Sequence, residues 1–298
     1  MKIVHLRPEG RILKLLWNIV CGSTILFLAF VPLLVLNLAQ FPSLILLPFW
    51  PKGFRAYNRF MAFCVWGYWA WGMKHIVGME LVMSGDEVPR SEDAIVFANH
   101  QSMSDILVLI CLALEKGRVG DLKWMVKDII KYVPGIGWGM IFLDCLFLKR
   151  NWSDDEANIR AAFARFIKAR IPLWMVSFPE GTRLTPSKLE ASQAYAEHSA
   201  LPLTEHVLLP RPRGFVATVH GLRDLVQAVY SVTIRYEGKA PKLTHMIRGD
   251  VNRVFVDLKR VPITAMPNND KQLGAWLLSD FYRKDHLMAA SSSPQVLA

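Results

Sequence analysis

Charge is scarce in this chain: Asp, Glu, Lys and Arg make up 20% of its 298 residues, where globular domains usually carry about 25%. Cysteine is scarce too. The four present (Cys21, Cys64, Cys111, Cys145) show no CxxC spacing, which argues against a zinc ribbon or a disulfide framework and reads as isolated buried thiols. There is no GxSxG nucleophile elbow, Walker A loop, GxGxxG turn or HExxH helix, so the familiar hydrolase, nucleotide and metalloprotease signatures are missing. No internal repeat occurs. The most informative gap is local, because between Leu15 and Trp50 there is not one charged residue.

What is present is apolar and basic. Hydrophobic residues reach 52% and the mean hydropathy is +0.25, which excludes a disordered chain. Thirty-five Lys and Arg against 25 Asp and Glu give a net charge of +10. Such a surplus implies a polyanionic partner, either nucleic acid or anionic lipid and phosphate substrates. No nucleic-acid motif accompanies it, and the apolar N-terminal part speaks against that partner.

The uncharged run of 36 residues exceeds the roughly 20 that span a bilayer, and it is too long for a cleaved signal peptide. One straight helix of that length would overshoot the hydrocarbon core, so breaks are expected at Pro32, Pro42 and Pro48. A second apolar stretch, Phe60 to Met73, is short and rich in Trp and Tyr, as expected of a headgroup-level segment. Arg7, Arg11 and Lys14 precede the first run; Lys52, Arg55, Arg59 and Lys74 flank the second. Positive charge on both sides suits a hairpin that returns to the cytoplasmic face, either as two spans or re-entrant.

After Gly78 the pattern becomes globular. AIVFANH (94–100), LWMVSFPEGTR (173–183), VLLPRPRG (207–214) and AVYSVTIRYEG (228–238) read as strands, the first two running into polar turns. ILVLICLAL (106–114) reads as a helix, and DEANIRAAFARFIKAR (155–170) is amphipathic with Ile159, Phe163 and Phe166 or Ile167 on one face. Alternating strands and helices predict an α/β domain with a mixed, largely parallel sheet. The expected organisation is a membrane hairpin with its aromatic segment over 1–77, a globular domain over 78–284, and a flexible tail over 285–298.

Three polar clusters follow apolar strands, where α/β sheets place their sites. His100 lies five residues before Asp105; a carboxyl partner fixes an imidazole tautomer and suits a general base acting on a hydroxyl. Glu180-Gly181-Thr182-Arg183 closes the second strand, and Arg suits bidentate phosphate contact. Lys149 and Arg150, with Lys127 and Lys123 upstream, make a basic cluster. Each cluster alone is also what an ordinary strand-end histidine, a plain turn or a solvated basic face would look like.

Together they are more specific. NHQSMSD (99–105) and FPEGTR (178–183), about 75 residues apart behind an apolar N-terminal segment, resemble the N-H-x4-D and F-P-E-G-T-R blocks of the glycerolipid acyltransferases. The likeness is greatest to the 1-acylglycerol-3-phosphate (lysophosphatidic acid) acyltransferases. Lys127, VPGIGW (133–138), FLKRNW (147–152) and LLPRPRGF (208–215) add to the likeness, which covers roughly 10–240. The resemblance implies transfer of an acyl group from acyl-CoA, or acyl carrier protein, to the sn-2 hydroxyl of lysophosphatidic acid. It implies His100 as base oriented by Asp105, with Arg183 and Arg150 or Lys149 on the phosphate, and Glu180, Gly181, Thr182 and Lys127 around the pocket. Backbone amides at the helix start after His100 are the expected oxyanion donors. No metal or tightly bound cofactor is expected; acyl-CoA or acyl carrier protein serves as co-substrate. The expected location is a membrane, bacterial inner membrane or endoplasmic reticulum, with the catalytic part facing the cytoplasm. Acylation of another lysophospholipid, such as lysophosphatidylglycerol or lysocardiolipin, and non-catalytic binding of anionic lipid remain alternatives.

Overall fold

All five residues of AIVFA are buried, and an apolar run without polar alternation needs cover on both faces. The computed structural model, which describes residues 11–149 and 151–290, shows how that cover is built. AIVFA forms β2 (Ala94–Ala98). The other strands are β1 (Glu80–Gly85), β3 (Leu122–Lys127), β4 (Leu146–Leu148), β5 (Trp174–Ser177), β6 (Ala228–Tyr236) and β7 (Arg253–Pro262). They lie in the order β1-β7-β6-β2-β5-β3-β4. β2 is central and parallel to both β5 and β6; β3 runs parallel to β5 and to β4. β7 is antiparallel to β6 and parallel to β1. The sheet is therefore mixed and largely parallel, as the strand and helix alternation predicts.

The helices are α1 (Arg11–Gln40), α2 (Pro51–Gly72), α3 (Ser104–Glu115), α4 (Ile136–Phe142), α5 (Trp152–Ala169), α6 (Pro186–His198), α7 (Pro212–Leu222), α8 (Leu243–Ile247) and α9 (Asp270–Ala290). Side chains alternate across a strand, and β2 shows the consequence. Ile95 and Phe97 pack with Phe163 and Phe166 of α5, Phe215 of α7 and Phe281 of α9. Ala94, Val96 and Ala98 pack with Leu109 and Leu112 of α3 and with Val65 and Trp66 of α2. On α5 the apolar face closes with Phe166, which is fully buried, rather than with Ile167.

The expected strand at 207–214 does not form. Pro210 and Pro212 remove two ladder donors, and Pro212 instead opens α7 at a helix position that tolerates it. Pro32 is not a breaker either: α1 runs through it. Pro42 and Pro48 do lie in the reversal, a 3-10 turn over Phe41–Leu46 followed by a short link into α2. The Trp69 indole donates to the Ala29 carbonyl (3.2 Å) and the Tyr57 hydroxyl to that of Ala39 (2.8 Å), so α1 and α2 form an antiparallel hairpin.

The stretch 60–73 is the second half of α2 and the start of the turn after it; Ala62, Val65, Trp66, Ala70 and Met73 are buried in the sheet's own core, while Phe60, Phe63, Tyr68 and Trp71 are exposed. The tail expected from 285 is corrected as well, because α9 continues to Ala290 and the Asp285 carboxyl accepts the amides of Glu205 (3.0 Å) and His206 (2.7 Å). Residues 291–298 and 1–10 lie outside the described residues.

Candidate active site

β2, β5 and β6 run parallel, so their C-terminal ends share one edge of the sheet, and the chemistry gathers there. His100 follows β2 directly. The neighbouring Asn99 is fully buried; its amide donates to the Ile234 carbonyl (3.0 Å) and its oxygen accepts the Ile234 amide (2.8 Å), which fastens the loop to β6. The Gln101 side chain donates to the same carbonyl (2.6 Å). Asp105 stands in the first turn of α3 and is fully buried.

The Asp105 carboxyl is saturated. Its Oδ2 receives His100 Nδ1 (2.8 Å) and the amides of Gln101 (2.7 Å) and Ser102 (2.9 Å). Its Oδ1 accepts the Tyr236 hydroxyl (2.6 Å) from the end of β6. An oxygen already accepting two amides takes Nδ1 as a third donor, which leaves Nε2 of His100 as the acceptor nitrogen. The ring is stacked on Phe178 at 4.0 Å between centroids and 15° between planes. Imidazole orientation is thus fixed by a carboxyl on one side and an aromatic face on the other.

Most of the amides expected as oxyanion donors have partners inside the loop. Gln101 and Ser102 donate to Asp105, the Ser104 amide to Ser102 Oγ (3.2 Å), and those of Asp105 and Ile106 to the carbonyls of Ser102 and Met103. These bonds turn the chain into α3 within five residues of the histidine.

Glu180 joins the two blocks directly: its Oε1 accepts the His100 amide (3.0 Å), and the His100 carbonyl accepts the Leu184 amide (2.7 Å). Burial pushes the Glu180 carboxyl well above the usual range. The His100 and Leu208 amides oppose that shift and the neighbouring Asp105 adds to it. Gly181 closes the turn with its amide on the Phe178 carbonyl (2.9 Å) and φ +71°, a conformation that favours glycine. Thr182 Oγ1 accepts from Lys188 Nζ (2.5 Å), and Arg183 is exposed.

The structure unites His100, Asp105, Glu180, Gly181, Thr182 and Arg183. The basic cluster is spread out instead. Lys127 ends β3, two strands from β2, and is exposed; at 4.7–4.9 Å per strand that is about 10 Å away along the sheet. Lys149 follows β4, a strand further out, and points its amine toward Asp154 (3.8 Å). Arg150 lies outside the described residues.

Sequence reading missed Tyr236 and Lys188 as partners, and it gave no structural role to Asn99, Phe178 and Arg211 although all three lie inside the segments it singled out. The Arg211 side chain lies 3.6 Å from the position a Cβ on Gly181 would take. Only the tertiary fold brings Tyr236 in from β6 and Lys188 from α6.

The protein carries a carboxyl-held histidine at the C-terminal end of the central strand of a mixed sheet, and residues 80–235 match the family model described as Acyltransferase. The chain is 34% identical over 221 residues to a probable 1-acyl-sn-glycerol-3-phosphate acyltransferase 5 of Arabidopsis thaliana, covering 74% of this chain and 59% of that one. It is 33% identical over 268 residues to the acyltransferase 2 of that name from Brassica oleracea (88% and 68% covered). It is 30% identical over 259 residues to the gamma form of Homo sapiens (85% and 69% covered). The chain thus spans less than two thirds of the Arabidopsis relative and slightly more than two thirds of the other two. The crystal structure of the 1-acyl-sn-glycerophosphate acyltransferase of Thermotoga maritima matches with a TM-score of 0.51 at 19% identity, covering 86% and 96% of the two chains, a likeness of fold. This chain belongs to the acyltransferase family, and within it to the 1-acylglycerol-3-phosphate acyltransferases.

Proposed function

We propose that the protein moves a fatty acyl group from an acyl thioester, acyl-CoA or acyl carrier protein, to the sn-2 hydroxyl of lysophosphatidic acid, giving phosphatidic acid. One observation carries the reading: Asp105 and Phe178 hold the His100 ring so that Nδ1 is engaged and Nε2 is the basic nitrogen. Nε2 takes the acceptor's hydroxyl proton as that oxygen attacks the thioester carbonyl. The tetrahedral intermediate then expels the thiolate, which recovers the proton from Nε2. No acyl-enzyme is required, because the thioester is already activated, and the same argument removes the need for a metal or resident cofactor. Arg183 sits one strand from His100 and faces solvent, which suits the acceptor phosphate. Lys127, two strands from β2, would meet the outer part of the acceptor headgroup. Lys149, turned toward Asp154, guards the outer rim.

The helical stretch Phe27–Leu46 is long and apolar enough to cross a membrane, and both substrates are amphiphiles. The proposed location is therefore a membrane, with the sheet on its cytoplasmic side.

The test is thiol release from oleoyl-CoA by detergent-purified protein, with and without lysophosphatidic acid. Release that needs the acceptor is expected. In His100→Ala, kcat should fall about 10²–10⁴-fold with an unchanged melting temperature. A variant keeping a tenth of wild-type turnover would remove His100 as base. Faster release with lysophosphatidylglycerol or lysocardiolipin would move the acceptor, and liposome binding without release from any donor would leave a lipid-binding protein.

A further inference from the structure

Between β3 and β4 the chain makes two short helical pieces that take no part in the sheet or in the histidine loop. The first is a 3-10 turn over Asp128–Tyr132. Three residues per turn set Ile129 and Tyr132 one above the other, and they are 63% and 67% exposed. The second is α4, where Trp138 and Ile141 lie at i, i+3 on one face, 37% and 53% exposed. Gly137, Met140 and Phe142 of the same helix are buried. Pro134, between the two pieces, is exposed as well. A large apolar residue thus stands outward on each turn, which a water-facing surface does not explain.

The segment rests on the hairpin beside this face. The Phe41 ring meets Trp138 (6.0 Å) and Phe142 (5.5 Å) edge on. At Gly135 (φ +78°) a Cβ would come within 3.0 Å of Leu33, so the two elements approach closely. The outward face therefore continues the exposed apolar surface of Leu34, Leu38, Phe41 and Ile45.

We propose that Ile129, Tyr132, Trp138 and Ile141 form a second lipid-contacting face, lying at the headgroup boundary of the bilayer that the hairpin enters. The proposal rests on the membrane reading of that hairpin. A bilayer fits better than a second copy of the chain for three reasons. The face is continuous with a 20-residue stretch of membrane-spanning length. Its aromatics, Tyr132 and Trp138, are amphipathic rings of the kind that settle at headgroup level. At its rim Lys127 is exposed toward anionic headgroups, while Lys131 is neutralised by Asp128 (2.8 Å) and covers the Tyr132 ring. Lys127 also ends β3, so the face sets the active edge of the sheet against the lipid, and acyl chains reach His100 without crossing water.

The experiment uses the full chain in two settings. Acyl transfer to lysophosphatidic acid is measured in detergent micelles and in phosphatidylglycerol–phosphatidylcholine vesicles for wild type and for Tyr132→Ser/Trp138→Ser/Ile141→Ser. The expected result is micellar turnover within about twofold of wild type and vesicle turnover at least tenfold lower. Equal loss or no loss in both settings overturns the proposal. Wild type inactive in both settings would instead strike at the acyl-transfer reading. A photo-crosslinking side chain placed at position 141 identifies the occupant: lipid adducts in vesicles are expected, and adducts between two protein chains overturn the proposal in favour of a self-association surface.

Discussion

Asp105 is the most heavily used side chain of the site, and one of its donors is invisible to any local reading. Tyr236 is separated from it by 131 residues and reaches it only because β6 lies beside β2. Burial, reinforced by the Asp105 carboxyl, pushes the Tyr236 hydroxyl up, so it stays a donor. Tyr236→Phe removes that donor and keeps the ring. A buried acceptor that loses its partner costs about 1–3 kcal/mol, felt here as looser control of the His100 ring. The expected outcome is a kcat about tenfold lower with KM for both substrates nearly unchanged, measured by steady-state thiol release. A change confined to KM would show that Tyr236 shapes the pocket instead of positioning Asp105. The H-x4-D spacing revealed the acid and the imidazole because both lie on one loop. The hydroxyl that completes the arrangement belongs to another strand, so it carries no spacing signal.

At the scale of elements, strands covered on both faces were the legible ones. β2, β5 and β6 stand out as apolar runs, and α5 by its periodic face. β1 and β7 did not, because β1 is a largely exposed edge strand and β7 alternates buried and half-buried residues rich in Lys and Arg. α9 was not read from the sequence although Leu273, Leu277 and Phe281 line one face of it, and its core contact includes a lysine. Lys284 is fully buried, donates to the Val232 carbonyl (2.8 Å), pairs with Asp280 (3.7 Å) and lies over the rings of Phe97 and Phe281. Burial pulls its amine down from 10.5 to about 8, against the pull of Asp280 in the other direction. Between those two pH values the unfolded chain binds more protons than the folded one, so stability rises with pH across that window and is flat for this group below it. The rise is at most about 3 kcal/mol. Thermal melts of wild type and Lys284→Met from pH 7 to pH 10 should differ in slope, the wild type gaining relative to the variant as pH rises. Parallel curves would show that the amine does not lose its proton in the folded state.

For the whole molecule, the hairpin is part of the domain it precedes. Leu33, Ala62, Val65 and Trp66 share one core with Val108, Leu112, Trp174 and Tyr230. Arg59 pairs with the buried Asp121, and Arg55 with Asp144 (3.4 Å). A chain starting at Gly78 would uncover the face of α3 that α2 seals. It is expected to aggregate, or to bind a hydrophobic dye without a cooperative melt; a soluble, cooperatively melting fragment would show the two parts to be separable. The sequence had suggested a boundary near 77, because composition changes there, but composition does not report which core a helix packs into.

The sheet order also carries a consequence in time. Among the described residues β1 pairs with β7 alone, and β7 is made some 170 residues later. At roughly 5–20 residues per second of synthesis, β1 waits on the order of ten seconds to half a minute for its partner. During that interval the strand has no partner to join. Its polar, exposed sequence, ELVMSG with a glycine at the end, is what allows a strand to wait in water, and the last strand to arrive locks the first one in place.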